Sequence, residues 1–146
     1  MVDITLKEPM YREAIASGRI VLKPDTVKRI REKAVEKGDV ESVASTAAIL
    51  AVKNTPQILP LCHPIPITAV NVDFNYGEDY VEVSVKVKTK AETGVEMEAI
   101  TGVSAALLTV WDMVKKYEKD ERGQYPTTRI TDIRVLSKTK SPHSSI

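Results

Sequence analysis

Two runs of alternating apolar and polar residues, 70-VNVDFNY-76 and 80-YVEVSVKVKT-89, constrain the fold of this chain more than any other feature. Only 77-GED-79 separates the two runs, a spacing that is typical of an antiparallel hairpin. The apolar face would carry Val70, Val72, Phe74, Tyr76, Val81, Val83, Val85 and Val87. Because the opposite face would be polar, we expect an antiparallel sheet that helices cover on one side only.

Three helices are predicted to supply that cover. The first spans 24–38 with Asp25 or Thr26 as N-cap, and the second runs from the N-cap Asp39 to 55, just before a proline. The third spans 96–119. In each helix, apolar residues at spacings of three and four mark the face that should meet the core. In the first helix these are Val27, Ile30, Ala34 and Val35, in the second Val40, Val43, Ala44, Ala47, Leu50 and Ala51, and in the third Ile100, Val103, Leu107, Val110, Val114 and Tyr117.

Two further strands, 18-GRIVLK-23 and 129-RITDIRVLSK-138, complete the predicted order of elements. That order is strand, doubled helix, strand, strand, helix, strand. It predicts an α+β, ferredoxin-like βαββαβ fold with an additional N-terminal helix. We expect one domain over 1–146, with an N-terminal arm at 1–17, a ferredoxin-like core at 18–138 and a flexible tail at 139–146. Such a fold hosts many functions, so activity must be argued from the site.

Composition excludes several classes of protein. The formal net charge is +1, so no strong overall field draws the chain to nucleic acid or to an anionic membrane. The single cysteine, Cys62, excludes an internal disulfide and a cysteine-based zinc site within one chain. No apolar run approaches membrane-spanning length and the start lacks a signal-peptide pattern, so we expect a cytoplasmic protein.

The stretch 61-LCHPIPIT-68 contains the one histidine that we expect to be held firmly, because His143 falls in the predicted tail. His63 is either a capping group or a proton carrier, and the residues alone favour neither role. The neighbouring Cys62 is more typical of a small buried residue than of a nucleophile.

Charged residues on the third helix form a second candidate site. Asp112 and Lys115 are neighbours at i, i+3, and a surface ion pair is the simpler interpretation. A buried pair would instead have shifted pKa values and could carry acid–base chemistry. Glu96 and Glu98 are favoured at a helix start by the dipole, or they could bind a polar substrate beside Gly94.

Lysines lie near the ends of several predicted elements, at Lys37, Lys53, Lys115 and Lys138. Scattered lysines are usually solvated, but converging ones would bind a polyphosphate. The sequence has no P-loop, no GxGxxG motif and no pair of histidines at metal-ligand spacing. We therefore predict no metal site of the protein's own.

These segments together resemble the cyclic pyranopterin monophosphate synthase family of molybdenum cofactor biosynthesis, also called the MoaC family. The matching stretches cover nearly the whole chain in the family's order. They are 2-VDIT-5, 37-KGDV-40, 47-AAILAVKNT-55, 59-LPLCHPIPIT-68, 92-ETGVEMEAITGVSAALLTVWDMVK-115 and 133-IRVLSK-138.

The resemblance implies a reaction and an assembly. The family converts 3′,8-cyclo-7,8-dihydro-GTP, the product of a radical-SAM GTP cyclase, to cyclic pyranopterin monophosphate and releases pyrophosphate. The implied assembly is a homohexamer, a trimer of dimers, with sites at the dimer interface. No cofactor is required, and although Mg²⁺ could act through the pyrophosphate, no residue pattern demands it.

The resemblance also implies roles for individual residues. Asp112 and Lys115 become the catalytic pair. The substrate-binding set becomes His63, Lys37, Lys53, Glu96, Met97, Glu98, Lys138 and Cys62, with Arg12 and Arg19 matching arginines of the N-terminal arm. The chain departs from the family at Trp111, at Val114, in its longer 117–129 link and in its tail, which lacks the usual glycine-rich, basic ending.

Two other functions fit the residues. A catalytically silent nucleotide-binding module would not need an acid–base pair, and its behaviour would survive Asp112→Asn. A purely structural oligomer subunit would need neither the pair nor His63. The joint presence of His63, Asp112, Lys115 and Lys37 favours the lyase.

Overall fold

The computed structural model describes residues 1–143, which form four strands and four helices. Their bounds in chain order are β1 (Met10–Val21), α1 (Pro24–Arg31), α2 (Val40–Lys53), α3 (Thr55–Ile58), β2 (Ala69–Tyr76), β3 (Tyr80–Ala91), α4 (Glu96–Glu118) and β4 (Arg129–Ser141). The strands pair in the order β2-β3-β1-β4, each pair antiparallel. This confirms the ferredoxin-like α+β fold, with the additional helices between β1 and β2.

The predicted hairpin of β2 and β3 forms the expected one-sided sheet. Val81, Val83, Val85 and Val87 of β3 are fully buried, and they pair with Ile20, Gly18, Ala16 and Ala14 of β1. The core side of α4 packs on this face through Val103, Leu107, Val110 and Val114, which are also fully buried. Each such valine or leucine contributes about 1.5–3 kcal/mol when it leaves water, so this layer is a large source of stability.

Helices α2 and α4 approach closely through small residues. Ala44 and Ala48 are fully buried, and a Cβ placed on Gly102 would come within 2.8 Å of Val52 Cγ2. Val43 and Leu50 were predicted on this core face, but they are 44% and 56% exposed. The buried stripe is instead Val40, Ala44, Ala48, Ala51 and Val52.

Strand β1 begins at Met10, eight residues before the predicted start at Gly18. The prediction was wrong because charged residues hid the alternation. Arg12 and Glu13 belong to a strand that is hydrogen-bonded on both edges. Gly18 lies inside the strand, where a Cβ would come within 2.9 Å of atoms of Val103, Leu107 and Ile133.

Helix α1 is shorter than predicted and is capped differently. Its N-cap is Lys23, with Pro24 in the first turn, whereas Asp25 or Thr26 was expected. It ends at Arg31 because Lys33 takes a left-handed conformation with φ of 57°. Ala34 is therefore exposed, while Val35 stays in the core.

Strand β4 continues to Ser141, so the expected tail from Thr139 starts too early. Its pairing with β1 shifts register twice, and Asp132 has φ of 59°, which explains the imperfect alternation of its sequence. The part of the expected tail at 144–146 lies outside the described residues.

Helix α4 is long and apolar enough to cross a membrane by length and composition, contrary to the expectation that no run would be. Half of its most apolar window is buried inside the fold. Its apolarity is accounted for by its position as the core helix across the sheet.

We predict that Gly18→Val lowers the free energy of unfolding by about 1–3 kcal/mol, because the added atoms overpack the contact with α4. Urea denaturation at a fixed protein concentration measures this change. Ser84→Val, on the polar face of β3, is the matched control and should change stability by no more than about 0.5 kcal/mol. Equal midpoints for the two variants would contradict the close approach at Gly18.

Candidate functional site

Helix α4 carries predicted site residues at both of its ends. Glu96, Met97 and Glu98 lie in its first turn, whereas Asp112 and Lys115 lie near its last turn. Fifteen residues separate Met97 from Asp112, which corresponds to about 22 Å along the helix axis. The predicted site therefore divides within one chain into two groups. We call them the amino-terminal group and the carboxy-terminal group of α4.

The carboxy-terminal group consists of Lys37, Asp112 and Lys115. The Oδ1 atom of Asp112 lies 3.2 Å from Lys115 Nζ and 3.5 Å from Lys37 Nζ. Lys37 Nζ also donates a hydrogen bond of 2.9 Å to the backbone oxygen of Asp112. The pairing of Asp112 with Lys115 follows from helical spacing, but only the loop between α1 and α2 brings Lys37 to them.

This group is open to solvent, so the alternative of a buried pair is wrong. The Asp112 side chain is 63% exposed. The hydrogen bond from Lys115 lowers the pKa of Asp112, and the nearby charge of Lys37 lowers it further. The carboxylate is therefore ionised at neutral pH and balances only one of two ammonium groups. The remaining positive charge suits an anionic ligand.

The amino-terminal group surrounds a cavity of about 350 Å³. Cys62 and His63, in the loop after α3, face the first turn of α4 across it, and the lining includes Glu96, Met97 and Glu98. Val2, Ile4 and Lys7 of the N-terminal segment also line this cavity. Val2 and Ile4 fall in the family-matching stretch 2-VDIT-5, but none of the three was predicted as a site residue.

The two glutamates of this group differ in environment. Glu98 is only 3% exposed, and its burial raises its pKa, with the Glu96 charge adding to the effect. Glu96 Oε1 lies 3.4 Å from Lys138 Nζ, while its other oxygen is buried without a hydrogen-bond partner. A Cβ on Gly94 would collide with that oxygen, so glycine lets the carboxylate fold back against the backbone.

Cys62 is not an activated nucleophile. Burial raises the pKa of its thiol, and the charges of Glu98 and Glu96 raise it further. A thiol in this setting is protonated at neutral pH and lacks thiolate reactivity. Cys62 is half-buried rather than fully buried, and it lines the cavity, so its expected place in the substrate-binding set stays a prediction.

A second cavity of about 240 Å³ adjoins the first at Glu96 and is lined by several positively charged side chains. Lys138 and Lys140 of β4 line it together with Arg12 of β1. The Arg12 guanidinium is anchored by hydrogen bonds of 3.0 Å to Ala91 O and 3.4 Å to Glu92 O. Lys140 was not among the predicted site residues, although its position two residues after Lys138 on a strand places both side chains on one face.

Two predicted residues lie apart from these contacts. Arg19 lies on the polar face of the sheet, where it bonds to Glu82 at 2.9 Å and stacks over Tyr80. Lys53, the last residue of α2, is exposed and forms no ion pair within the part of the chain that the structure describes. Across residues 1–143, no group of three or more His, Cys, Asp or Glu side chains is placed to hold a metal ion.

Comparison with known proteins places the chain among well-defined relatives. Residues 1–141 match the model of the MoaC family. A Pyrococcus furiosus protein named "Probable cyclic pyranopterin monophosphate synthase" is 60% identical over 99% of this chain and 92% of its own length. Proteins of the same name from Aeropyrum pernix and Methanoregula boonei are 64% and 59% identical, over 96% of this chain and 96% and 90% of theirs.

The geometry of the carboxy-terminal group predicts how Asp112 titrates. Lys115→Ala and Lys37→Ala should each raise the pKa of Asp112 toward its ordinary value, and Lys115→Ala should raise it more, because its hydrogen bond is the larger cause. Titration of the Asp112 carboxyl carbon by NMR measures this pKa. Lys119→Ala, one turn after Lys115, is the control and should leave it unchanged. An unaltered Asp112 pKa in both test variants would contradict the contacts described above.

Proposed function

The chain belongs to the MoaC family, and we propose that it is a cyclic pyranopterin monophosphate synthase whose active site combines the two groups of α4. The enzyme is a lyase that converts 3′,8-cyclo-7,8-dihydro-GTP to cyclic pyranopterin monophosphate and releases pyrophosphate. The observation that carries this proposal is the family match over residues 1–141, joined to the Lys37–Asp112–Lys115 cluster.

Charge and protonation suit the two groups to different parts of this substrate. In our proposal Asp112 and Lys115 exchange protons with the substrate during ring opening and closure, because one is an ionised acceptor and the other a donor within its reach. Glu96, Met97 and Glu98 would contact the base or the sugar, with His63 as a binding or relay group across the same cavity.

The triphosphate needs cations, which both groups supply. Lys138 and Arg12 line the cavity beside Glu96, and Lys140 extends that surface. Lys37 adds positive charge beside the catalytic pair. We propose Lys53 as a further phosphate contact, since it is exposed and unpaired in the described structure. No cofactor is required in this proposal, and any Mg²⁺ would bind together with the phosphates of the substrate.

The separation of the two groups supports a site built from two chains. A general acid or base must lie within about 3 Å of the atom whose proton it moves, whereas about 22 Å of helix separates Met97 from Asp112. One chain therefore cannot bring both groups to the same substrate atoms. A second copy that contributes the missing group removes this difficulty.

The outer face of α4 offers a surface for that second copy. Met97, Thr101, Ala105, Leu108 and Asp112 follow one another at spacings of three and four, so they share a face, on which Leu108 is 60% exposed. A two-fold axis across α4 near Ala105 would set two copies of the helix antiparallel. Met97 would then lie beside Asp112 of the partner subunit, and each dimer would contain two complete sites.

The wider assembly and context follow from the resemblance. We propose that three such dimers form a homohexamer, that a radical-SAM GTP cyclase supplies the substrate, and that the enzyme is cytoplasmic. No nucleic acid or membrane partner is needed. The second candidate, a catalytically silent nucleotide-binding subunit, would use the same cations but would have no need for the Asp112–Lys115 pair.

Pyrophosphate release from enzymatically prepared 3′,8-cyclo-7,8-dihydro-GTP tests the proposed activity. We expect Lys115→Ala to slow release by about 10²- to 10⁴-fold, the usual contribution of a positioned acid or base. Lys119→Ala removes the same charge one turn away and should keep wild-type turnover. Binding of substrate by the wild type without pyrophosphate release would favour the silent subunit instead.

Subunit mixing tests the shared site. His63→Ala and Lys115→Ala, each inactive alone, should regain about a quarter of wild-type activity after joint unfolding and refolding, because half of the dimers are mixed and each has one intact site. The control mixture of Asp112→Asn with Lys115→Ala should stay inactive, because both changes fall in the same group. Failure of the first mixture to recover activity would place the whole site within one chain.

A further inference from the structure

The carboxylate of Glu118 is fully buried at the C-terminal end of α4, outside both groups of the site. It accepts hydrogen bonds from the backbone N–H of Lys23, at 3.1 Å to one oxygen and 3.3 Å to the other, and from Thr128 Oγ1 at 2.7 Å. Thr26 Oγ1 donates another. Burial and the helix dipole both disfavour a carboxylate here, so these bonds must offset a substantial cost.

These bonds join segments that are distant in sequence. Lys23 and Thr26 belong to the start of α1, Thr128 precedes β4, and Glu118 ends α4. The carboxylate therefore fixes α1 against the last turn of α4. None of its partners belongs to the Lys37–Asp112–Lys115 cluster, and no step of the proposed reaction uses it.

The neighbouring residue, Tyr117, fixes the next segment of the chain. Its hydroxyl accepts a hydrogen bond of 2.9 Å from the backbone N–H of Glu36, in the loop of residues 32–39 that follows α1. The Arg29 guanidinium lies 4.5 Å from the centre of its ring, and Lys23 Nζ donates to its backbone oxygen at 3.4 Å. Lys116 adds an ion pair to Glu36.

The loop of residues 32–39 determines where Lys37 lies. Lys37 directly follows Glu36, its side chain is 48% exposed, and its two contacts to Asp112 are its polar contacts in the described structure. Lys33 and Gly38, near the two ends of the loop, have positive φ angles of 57° and 125°. Because the Lys37 side chain is half exposed, its position depends on the backbone of the loop. Val35 anchors that backbone in the core, the Tyr117 hydroxyl bonds it directly, and Glu118 acts on it through the start of α1.

We propose that Tyr117 and Glu118 are positioning residues that hold Lys37 against the Asp112–Lys115 pair by fixing α1 and its following loop to the end of α4. The role in catalysis rests on the proposed function, but the positioning itself does not. The arrangement links a buried network to an exposed site. The Glu118 carboxylate holds the start of α1 in place, the Tyr117 hydroxyl holds the 32–39 loop, and the loop determines where the Lys37 ammonium group lies.

Tyr117→Phe is the sharper test, because it removes the hydroxyl and keeps the ring. We expect kcat/KM for pyrophosphate release to fall about five- to tenfold, the effect of one lost hydrogen bond. The Asp112 pKa, measured by NMR in the substrate-free protein, should rise as Lys37 leaves, with Lys115 remaining as its cation. The acidic limb of the pH–rate profile should move to higher pH for the same reason.

Glu118→Gln is the second variant. Its amide oxygen can still accept from one threonine and from the Lys23 N–H, and its NH₂ group can donate to the other threonine hydroxyl, but that NH₂ group cannot accept the second Lys23 contact. This variant should change the Asp112 pKa in the same direction. Tyr125→Phe is the matched control: Tyr125 stacks edge-on against Trp111 at 5.1 Å, away from the 32–39 loop, and its change should leave both readouts unaltered.

The double variant that carries Tyr117→Phe together with Lys37→Ala distinguishes a positioning role from a general loss of structure. In the Lys37→Ala background Tyr117→Phe should have no further effect on the Asp112 pKa, because the residue through which it acts is gone. An Asp112 pKa that Tyr117→Phe leaves unchanged, or an effect that persists in full without Lys37, would overturn the positioning role. If the wild type releases no pyrophosphate, the proposed function fails, while the substrate-free titration still decides the positioning.

Discussion

The contact between the valine face of β3 and the inner side of α4 is the interaction on which the rest of the structure depends. Four valines of β3 and the apolar stripe of α4 are excluded from water together on one face of the sheet. The absence of a side chain at Gly18 lets α4 lie close to β1. Helix α2 completes the same core through Ala44, Ala48 and Val52.

That arrangement explains the division of the site. The middle of α4 serves packing on its inner side, so its charged residues are concentrated toward its two ends. At one end, burial raises the pKa of Glu98 beside a cavity. At the other end, Asp112 is exposed between two lysines that lower its pKa. A single rigid element thus holds two carboxylates whose pKa values are shifted in opposite directions by their surroundings.

The exposed end of α4 depends on a buried network for its order. Asp112 and Lys115 are fixed to each other by helical spacing, but Lys37 reaches them from the 32–39 loop, of which only Val35 is buried in the core. The polar groups around Glu118 and Tyr117 connect that loop to the core. When all its hydrogen bonds are made, a buried carboxylate such as that of Glu118 contributes a defined geometry more than stability. A defined geometry is what the placement of the Lys37 ammonium group requires.

The sequence by itself determined the hairpin, the long helix and the ferredoxin-like order, because periods of two and of 3.6 residues are local properties of strands and helices. It also determined the Asp112–Lys115 pair, which follows from helical spacing, and the family, which follows from short sequence motifs. Tertiary structure alone decided where β1 begins, why Val43 and Leu50 are exposed, that Lys37 joins Asp112, and that Arg19 does not join the site. Each of these depends on contacts between residues that are distant in sequence, and such contacts produce no local pattern in the sequence from which they could be predicted.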